Sequence, residues 1–227
     1  MRRRHLLSLT AMTAAAAGVD TLVQRATATI EDLRNDSSFG NSRELLGRAR
    51  AVLVVPQLIK GGFIFGAEGG NGVMMVHHRD RDSWSNPAFY GLGAGSFGLQ
   101  IGLEQAELVM FVMSDRALRA LMKNQVKLGV NAGLTVIVVG TAAEAAATTN
   151  ANVDVIAWAR AKGAYAGVTL AGSVIKPDTK AIRAYYGRNL TAEDILLRGA
   201  GNPRTDDAHD LRMALSDSEI RSGGRGR

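Results

Sequence analysis

VLVVPQLIKGGFIFGAEGGNGVMMVHHRDRDSWSNPAFYGLGAGSFGLQIGL, residues 52–103, is the stretch on which the fold turns. Short apolar runs, Val52–Val55, Phe63–Phe65 and Val73–Val76, are separated by Gly61-Gly62, Gly66, Gly69, Gly70 and Gly72. Runs this short, rich in Val, Ile and Phe and bounded by turn residues, spell strands rather than helices. From Gly91 to Leu103 small and large residues alternate. Residues two apart in a strand share a face, so Gly91, Gly93 and Gly95 leave one face without side chains. A bare face suits a strongly bent strand, or one that another backbone approaches closely, as in a small closed barrel.

Outward from that stretch the chain alternates strands with short helices. Val19, Leu22, Val23, Ala26, Ile30 and Leu33 recur at three- and four-residue steps and predict an amphipathic helix over 19–34. Such a helix covers an edge of the sheet or lies on a membrane surface; the balance of Arg25 and Arg34 by nearby acids favours the first. A second helix is expected over 42–49, with Asn41 or Ser42 as its cap and Glu44 in its first turn. C-terminal to the glycine stretch, strands are expected at Ala106–Met113, Leu134–Val139, Val153–Ala161 and Tyr165–Leu170. Helices are expected after Ser114, after Asp178 and after Thr191, and over Asp206–Leu215. The Ala/Thr tract 141–150 has helical propensity but reads ambiguously. The Gly/Arg-rich end from Ser216 reads as disordered. The inventory is that of an α+β domain with enough strands to close into a barrel.

Composition narrows the function. The chain has 227 residues, 46% hydrophobic, with 26 glycines and no cysteine, so disulfides and thiolate metal sites are excluded. No apolar run approaches the roughly 18 residues that span a bilayer. Arg2-Arg3-Arg4 followed by the apolar, small-residue run Leu6–Ala17 reads as a signal peptide over 1–18, which implies export to the periplasm or cell envelope. The formal charge is +6; those three arginines contribute half of it, which leaves a mildly basic body. That argues against a nucleic-acid partner and is compatible with attraction to anionic lipid headgroups.

Several ordered motifs resemble the SYLF-domain family, a lipid- and phosphoinositide-binding module. They are Pro56, Lys60-Gly61-Gly62-Phe63-Ile64 with Gly66, Gly69-x-x-Gly72, Trp84-Ser85-x-Pro87 and Gly95-x-x-Gly98-x-Gln100-x-Gly102. Lys162-Gly163-x-Tyr165-Ala166-Gly167 and Tyr185-Tyr186-Gly187 continue the series. The resemblance covers about 41–187. Trp158 stands where relatives usually carry Tyr, an exchange of aromatics that reads as packing. The resemblance implies a small closed or nearly closed antiparallel β-barrel core with helices packed on its outside, and binding of an anionic phospholipid membrane surface. The implied division is signal peptide 1–18, amphipathic helix and linker 19–40, SYLF-like domain 41–200, and C-terminal helix with disordered tail 201–227.

Candidate chemistry is sparse. Gly93-x-Gly95-x-x-Gly98 spells a dinucleotide fingerprint, but alternation continues through Leu103 where a phosphate-facing helix would have to begin. His77 and His78 are adjacent in a predicted strand and face opposite ways, so they do not converge on a metal. Nucleophile, base and orienting group do not assemble into an enzyme site, and neither a cofactor nor a metal is implied. The candidate headgroup-binding residues are basic loops at the barrel rim: Lys60 with Gly61 and Gly62, Arg79, Arg81, and Lys162. Lys60 followed by two glycines is read as a turn whose exposed N–H groups can hold a phosphate. The alternatives are an envelope scaffold that binds a protein, and an enzyme or carrier with a hydrophobic cavity inside the barrel.

Overall fold

The computed structural model describes residues 2–36, 42–62, 65–97, 102–123, 125–129, 133–139, 153–161, 170–203 and 205–220. Two long strands, β1 (Ala51–Gly62) and β2 (Phe65–His78), form an antiparallel hairpin at the centre. β3 (Ser83–Trp84) pairs with the end of β2. β4 (Ala88–Phe97), β5 (Gly102–Val112), β6 (Val126–Lys127), β7 (Val136–Val139), β8 (Val155–Ala161) and β9 (Val174–Pro177) complete a sheet ordered β6-β9-β4-β2-β1-β5-β8-β7. Every pairing between these strands is antiparallel except β7 with β8.

The glycines that read as turns lie inside strands. Gly61, Gly62, Gly66, Gly69, Gly70 and Gly72 are all paired, so the expected run of short strands becomes one hairpin. Pro56 cannot donate to a ladder and sits in a central strand, where it is tolerated only at a bulge. The register shows that bulge: Val54 faces Val73 and Gln57 faces Asn71, so β1 has one residue more than its partner. The same shift appears against β5. The bulged backbone crowds β2. A Cβ on Gly70 would stand 2.6 Å from the Gln57 carbonyl oxygen, and one on Gly72 would stand 2.8 Å from that of Val54.

The sheet curls into a half-barrel rather than a closed barrel. Between its two terminal strands, β6 and β7, the described residues show one isolated bridge, Leu128 with Leu134, just outside both strands. β6 is two residues long, and closure needs a ladder along the whole of both edges. The α+β class expected from the sequence stands, and closure does not.

Six helices are described: α1 (Arg2–Asn35), α2 (Ser42–Arg48), α3 (Asp115–Lys123), α4 (Thr179–Tyr186), α5 (Ala192–Leu196) and α6 (Asp207–Ile220). α1 lies across β1, β2 and β5, and its stripe Val19, Val23, Ala26, Ile30 and Leu33 is buried. The amphipathic helix therefore spends its apolar face on protein, the first of the two readings. α1 is continuous from Arg2, through the leader boundary placed at residue 18. α6 runs five residues beyond Leu215 into the stretch read as disordered. Asp178 caps α4 by accepting from the Lys180 and Ala181 N–H groups, and Thr191 with Asp194 forms a capping box on α5, as their sequence positions suggest. The tract 141–150 and the expected strand over 165–169 lie outside the described residues.

Polar ties fix α1 and the α3 end of the sheet. Arg160 bonds Asp32 at 2.6 Å and Glu107 at 3.1 Å, and the Trp158 indole N–H donates to Asp36 at 3.0 Å. Trp158 is itself buried. Asp154, 5% exposed, accepts from Ser114 Oγ at 2.5 Å and Thr135 N–H at 3.0 Å, and pairs with Arg116. Burial alone pushes this carboxyl up, but the donors from Ser114, Thr135 and Arg116 outweigh it and hold its pKa below the usual carboxylate value. Its stabilising contribution is thus present above that value and is lost as pH falls through the lowered one. Replacing Asp154 by Ala strands these donors and is expected to cost about 3 kcal/mol, read as a fall in urea midpoint at unchanged m. That deficit should shrink as the comparison is moved below pH 3.8, the unperturbed carboxylate value.

Candidate functional site

A half-open groove of about 920 Å3 lies between α1 and the outer face of the sheet. The strand registers explain its floor. Ile59 on β1 faces Gly69 on β2, which faces Gly93 on β4, which faces Val174 on β9, which faces Lys127 on β6. The next row is Gln57, Asn71, Gly91 and Lys176. Residues directly opposite across a ladder lie on one face, so both rows look the same way.

The three floor glycines are bare into open space. A Cβ on Gly91 would meet nothing within 4 Å, one on Gly93 only a carbonyl at 3.8 Å, and one on Gly69 only a carbonyl at 3.6 Å. The bare face expected from the alternation is therefore present at Gly91 and Gly93, but no backbone presses on it. The close approach occurs on the other face, at Gly70 and Gly72. The α1 wall contributes Gly18, Val19, Thr21, Leu22 and Arg25. Arg25 is tied across the gap by donating to Gln57 Oε1 at 3.1 Å. On the far side of that tie a smaller polar hollow of about 510 Å3 is lined by Asp32, Gln105 and Glu107.

Cations collect along the β6–β9 edge of the groove. Lys176 lines it, and Lys127 lies on the same face one strand further out. Lys123 ends α3, shortly before β6 in the chain, and Lys180 and Arg183 lie one turn apart on α4, which follows β9. All five are exposed, and among the described residues none makes an ion pair. The one carboxylate lining the groove, Asp178, is occupied as the α4 cap.

The residues singled out from the sequence are not brought to one place. Lys60, Gly61 and Gly62 form the end of β1, paired on both sides, so their amides belong to ladders and not to a phosphate-holding turn. In the backbone register Lys60 pairs with Glu68 on one neighbour and Glu104 on the other. Arg79 and Arg81 lie beyond the opposite end of β2, roughly 30 Å from Lys60 at about 3.3 Å per strand residue. Arg79 donates to the Arg48 carbonyl and Arg81 pairs with Asp80 at 3.3 Å. Lys162 lies outside the described residues. His77 stacks on Trp84 with ring centroids 4.8 Å apart, and burial lowers its pKa and that of His78. β4 continues as a strand to Phe97, so Gly93 and Gly95 belong to a ladder. The basic edge escaped sequence reading because Lys127 and Lys176 are 49 positions apart and meet only through the β6–β9 pairing.

Residues 93–218 match the model of the Ysc84 family, described as Las17-binding protein actin regulator. The chain is 30% identical over 191 residues to LAS seventeen-binding protein 3 of Saccharomyces cerevisiae, covering 81% of this chain and 40% of that protein. It is 31% identical over 168 residues to the SH3 domain-containing YSC84-like protein 1 of Homo sapiens, covering 74% of this chain and 48% of the relative. The chain thus spans about half the length of these relatives, or less. The matched region contains Lys127, Val174, Lys176 and Lys180.

The two sets of glycines should respond oppositely to a side chain. Gly91→Val adds a β-branched residue where nothing is displaced, and the melting temperature is expected to stay level or rise. Gly70→Ala forces a methyl against the bulge backbone and should cost about 1–3 kcal/mol. Thermal melts of the two variants side by side test the assignment; equal losses would contradict it.

Proposed function

Because the chain belongs to the Ysc84/SYLF-domain family, we propose that it is a non-enzymatic domain that docks on anionic phospholipid surfaces, with headgroups meeting the β6–β9 edge. The observation that carries this reading is the exposed cationic series Lys123, Lys127, Lys176, Lys180 and Arg183, which makes no ion pair among the described residues, with the capped Asp178 as the one carboxylate among the described residues that line the groove. Each well-placed cation near an anionic bilayer contributes roughly 1 kcal/mol. An attraction of this kind needs no catalytic group and weakens with salt. Lys60 with Gly61 and Gly62 is a weaker candidate than its motif suggests, because this segment is paired in ladders on both sides and is not a turn with free amides. Arg79 and Arg81 are already engaged, by the Arg48 carbonyl and by Asp80.

Export to the cell envelope is part of the same proposal. Its support is the basic, then apolar character of residues 1–18, together with the position of the α1 stripe. The buried stripe Val19, Val23, Ala26, Ile30 and Leu33 lies C-terminal to residue 18, so cleavage near residue 18 leaves that stripe complete. Cell fractionation followed by intact mass should find the protein in the envelope or periplasm with its first ~18 residues removed; a full-length cytosolic product would overturn the assignment. A protein partner is a second reading. The yeast relative is named for binding Las17, and the exposed Ile59 beside the groove offers an apolar contact.

Co-sedimentation with vesicles decides between them. Phosphatidylglycerol vesicles should pellet the protein, phosphatidylcholine vesicles should not, and added salt should release it. Reversing Lys127, Lys176 and Lys180 to Glu should weaken binding on the order of a hundredfold, while Lys60→Glu should change it much less. Equal pelleting with neutral vesicles, or an unaffected triple variant, would refute the headgroup reading.

A further inference from the structure

We propose that the groove between α1 and the glycine floor takes up one acyl chain of a monoanionic lipid, with its headgroup at Lys176 and Lys127. This rests on the lipid-surface reading and deepens it from contact with a surface to capture of a single molecule.

The shape argument comes from the register. The row Ile59, Gly69, Gly93, Val174 and Lys127 crosses five adjacent strands, so its length is four strand spacings, roughly 19 Å. That is the reach of an extended acyl chain of a common membrane lipid. The row is one residue wide and, in its middle, has no side chains. Its Cβ directions open into space, and α1 presents Val19 and Leu22 to it from the other side. The cavity volume of about 920 Å3 falls within the roughly 300–1,000 Å3 typical of sites that enclose one small ligand.

The charge argument sets the direction. One end of the row is apolar, at Ile59, an exposed large hydrophobic residue. The other end carries two ammonium groups that make no ion pair among the described residues, Lys127 on the same row and Lys176 on the next. Asp178, the acid within reach, is turned to the α4 amides and leaves that end positive. A ligand with one apolar tail and one anionic head matches both ends in a single orientation. A peptide would bring backbone amides over a floor whose own N–H and C=O groups are already used in ladders, so apolar methylenes are the better complement.

The test uses the full chain and myristoyl lysophosphatidylglycerol below its micelle concentration, followed by calorimetry and by amide shifts of Gly69, Gly91 and Gly93. One lipid should bind per chain. Glycerophosphoglycerol, the same head without a tail, and myristoyl lysophosphatidylcholine, the same tail without net charge, should each bind at least about tenfold more weakly. Gly91→Leu should lower lysolipid affinity by at least about tenfold, yet leave pelleting with phosphatidylglycerol vesicles intact. Gly93→Val gives the same readout should Gly91→Leu fail to fold. The inference is overturned if the head alone binds as well as the lysolipid, or if floor variants bind it normally. It is also overturned if sedimentation shows a dimer that these variants dissolve, since the occupant is then a second copy. Loss of vesicle pelleting in the wild type with retained lysolipid binding would instead sink the surface-docking reading and leave the groove assignment standing.

Discussion

One extra residue in the central strand sets the rest of the molecule. β1 pairs on both sides, and its bulge at Val55–Pro56 places Val54 and Gln57, three positions apart, on the same face. Without it, strict alternation would turn Leu58 outward and Ile59 inward. With it, Leu58 is buried in the core while Gln57 and Ile59 emerge onto the groove. The same bulge presses on β2 and restricts Gly70 and Gly72 to glycine. Core, groove and glycine pattern are thus three results of one local irregularity.

Against that background the sheet has two kinds of bareness. Gly70 and Gly72 are bare because backbone occupies the space a methyl would need. Gly69, Gly91 and Gly93 are bare although space is available. The first kind is a packing requirement. The second leaves an opening that neither helix propensity nor strand propensity favours, since a glycine inside a strand weakens it. The proposed lipid site would give that opening a use, with Lys176 lining it and Lys127 on the same face one strand further out.

Much of the local structure is legible in the residues. The amphipathic stripe from Val19 to Leu33, the caps at Asp178 and Thr191, and the strands ending in Val112, Val139 and Ala161 all follow from period and turn chemistry. The long hairpin is not, because glycines read as turns when their neighbours in space are unknown; pairing on both edges is what keeps Gly61, Gly62 and Gly66 extended. The open edge is equally hidden, since nothing in Val126–Lys127 announces that β6 stops after two residues. Lys60 shows the limit most plainly. Its motif marks it, but the two glutamates that oppose it lie 8 and 44 positions away and are placed there by register alone.

The ties that hold α1 have a consequence for biosynthesis. Asp32 waits for Arg160, Asp36 for Trp158, and Gln24 for Asp207, which it reaches at 3.1 Å. At roughly 5–20 residues per second of translation, the first helix emerges many seconds before its last anchor exists. Val23, Ile30 and Leu33 therefore travel through most of synthesis with their polar clasps unmade, as an apolar ridge that holdase chaperones can grip. The last of these clasps, Gln24 with Asp207, can close only after nearly the whole chain has been made.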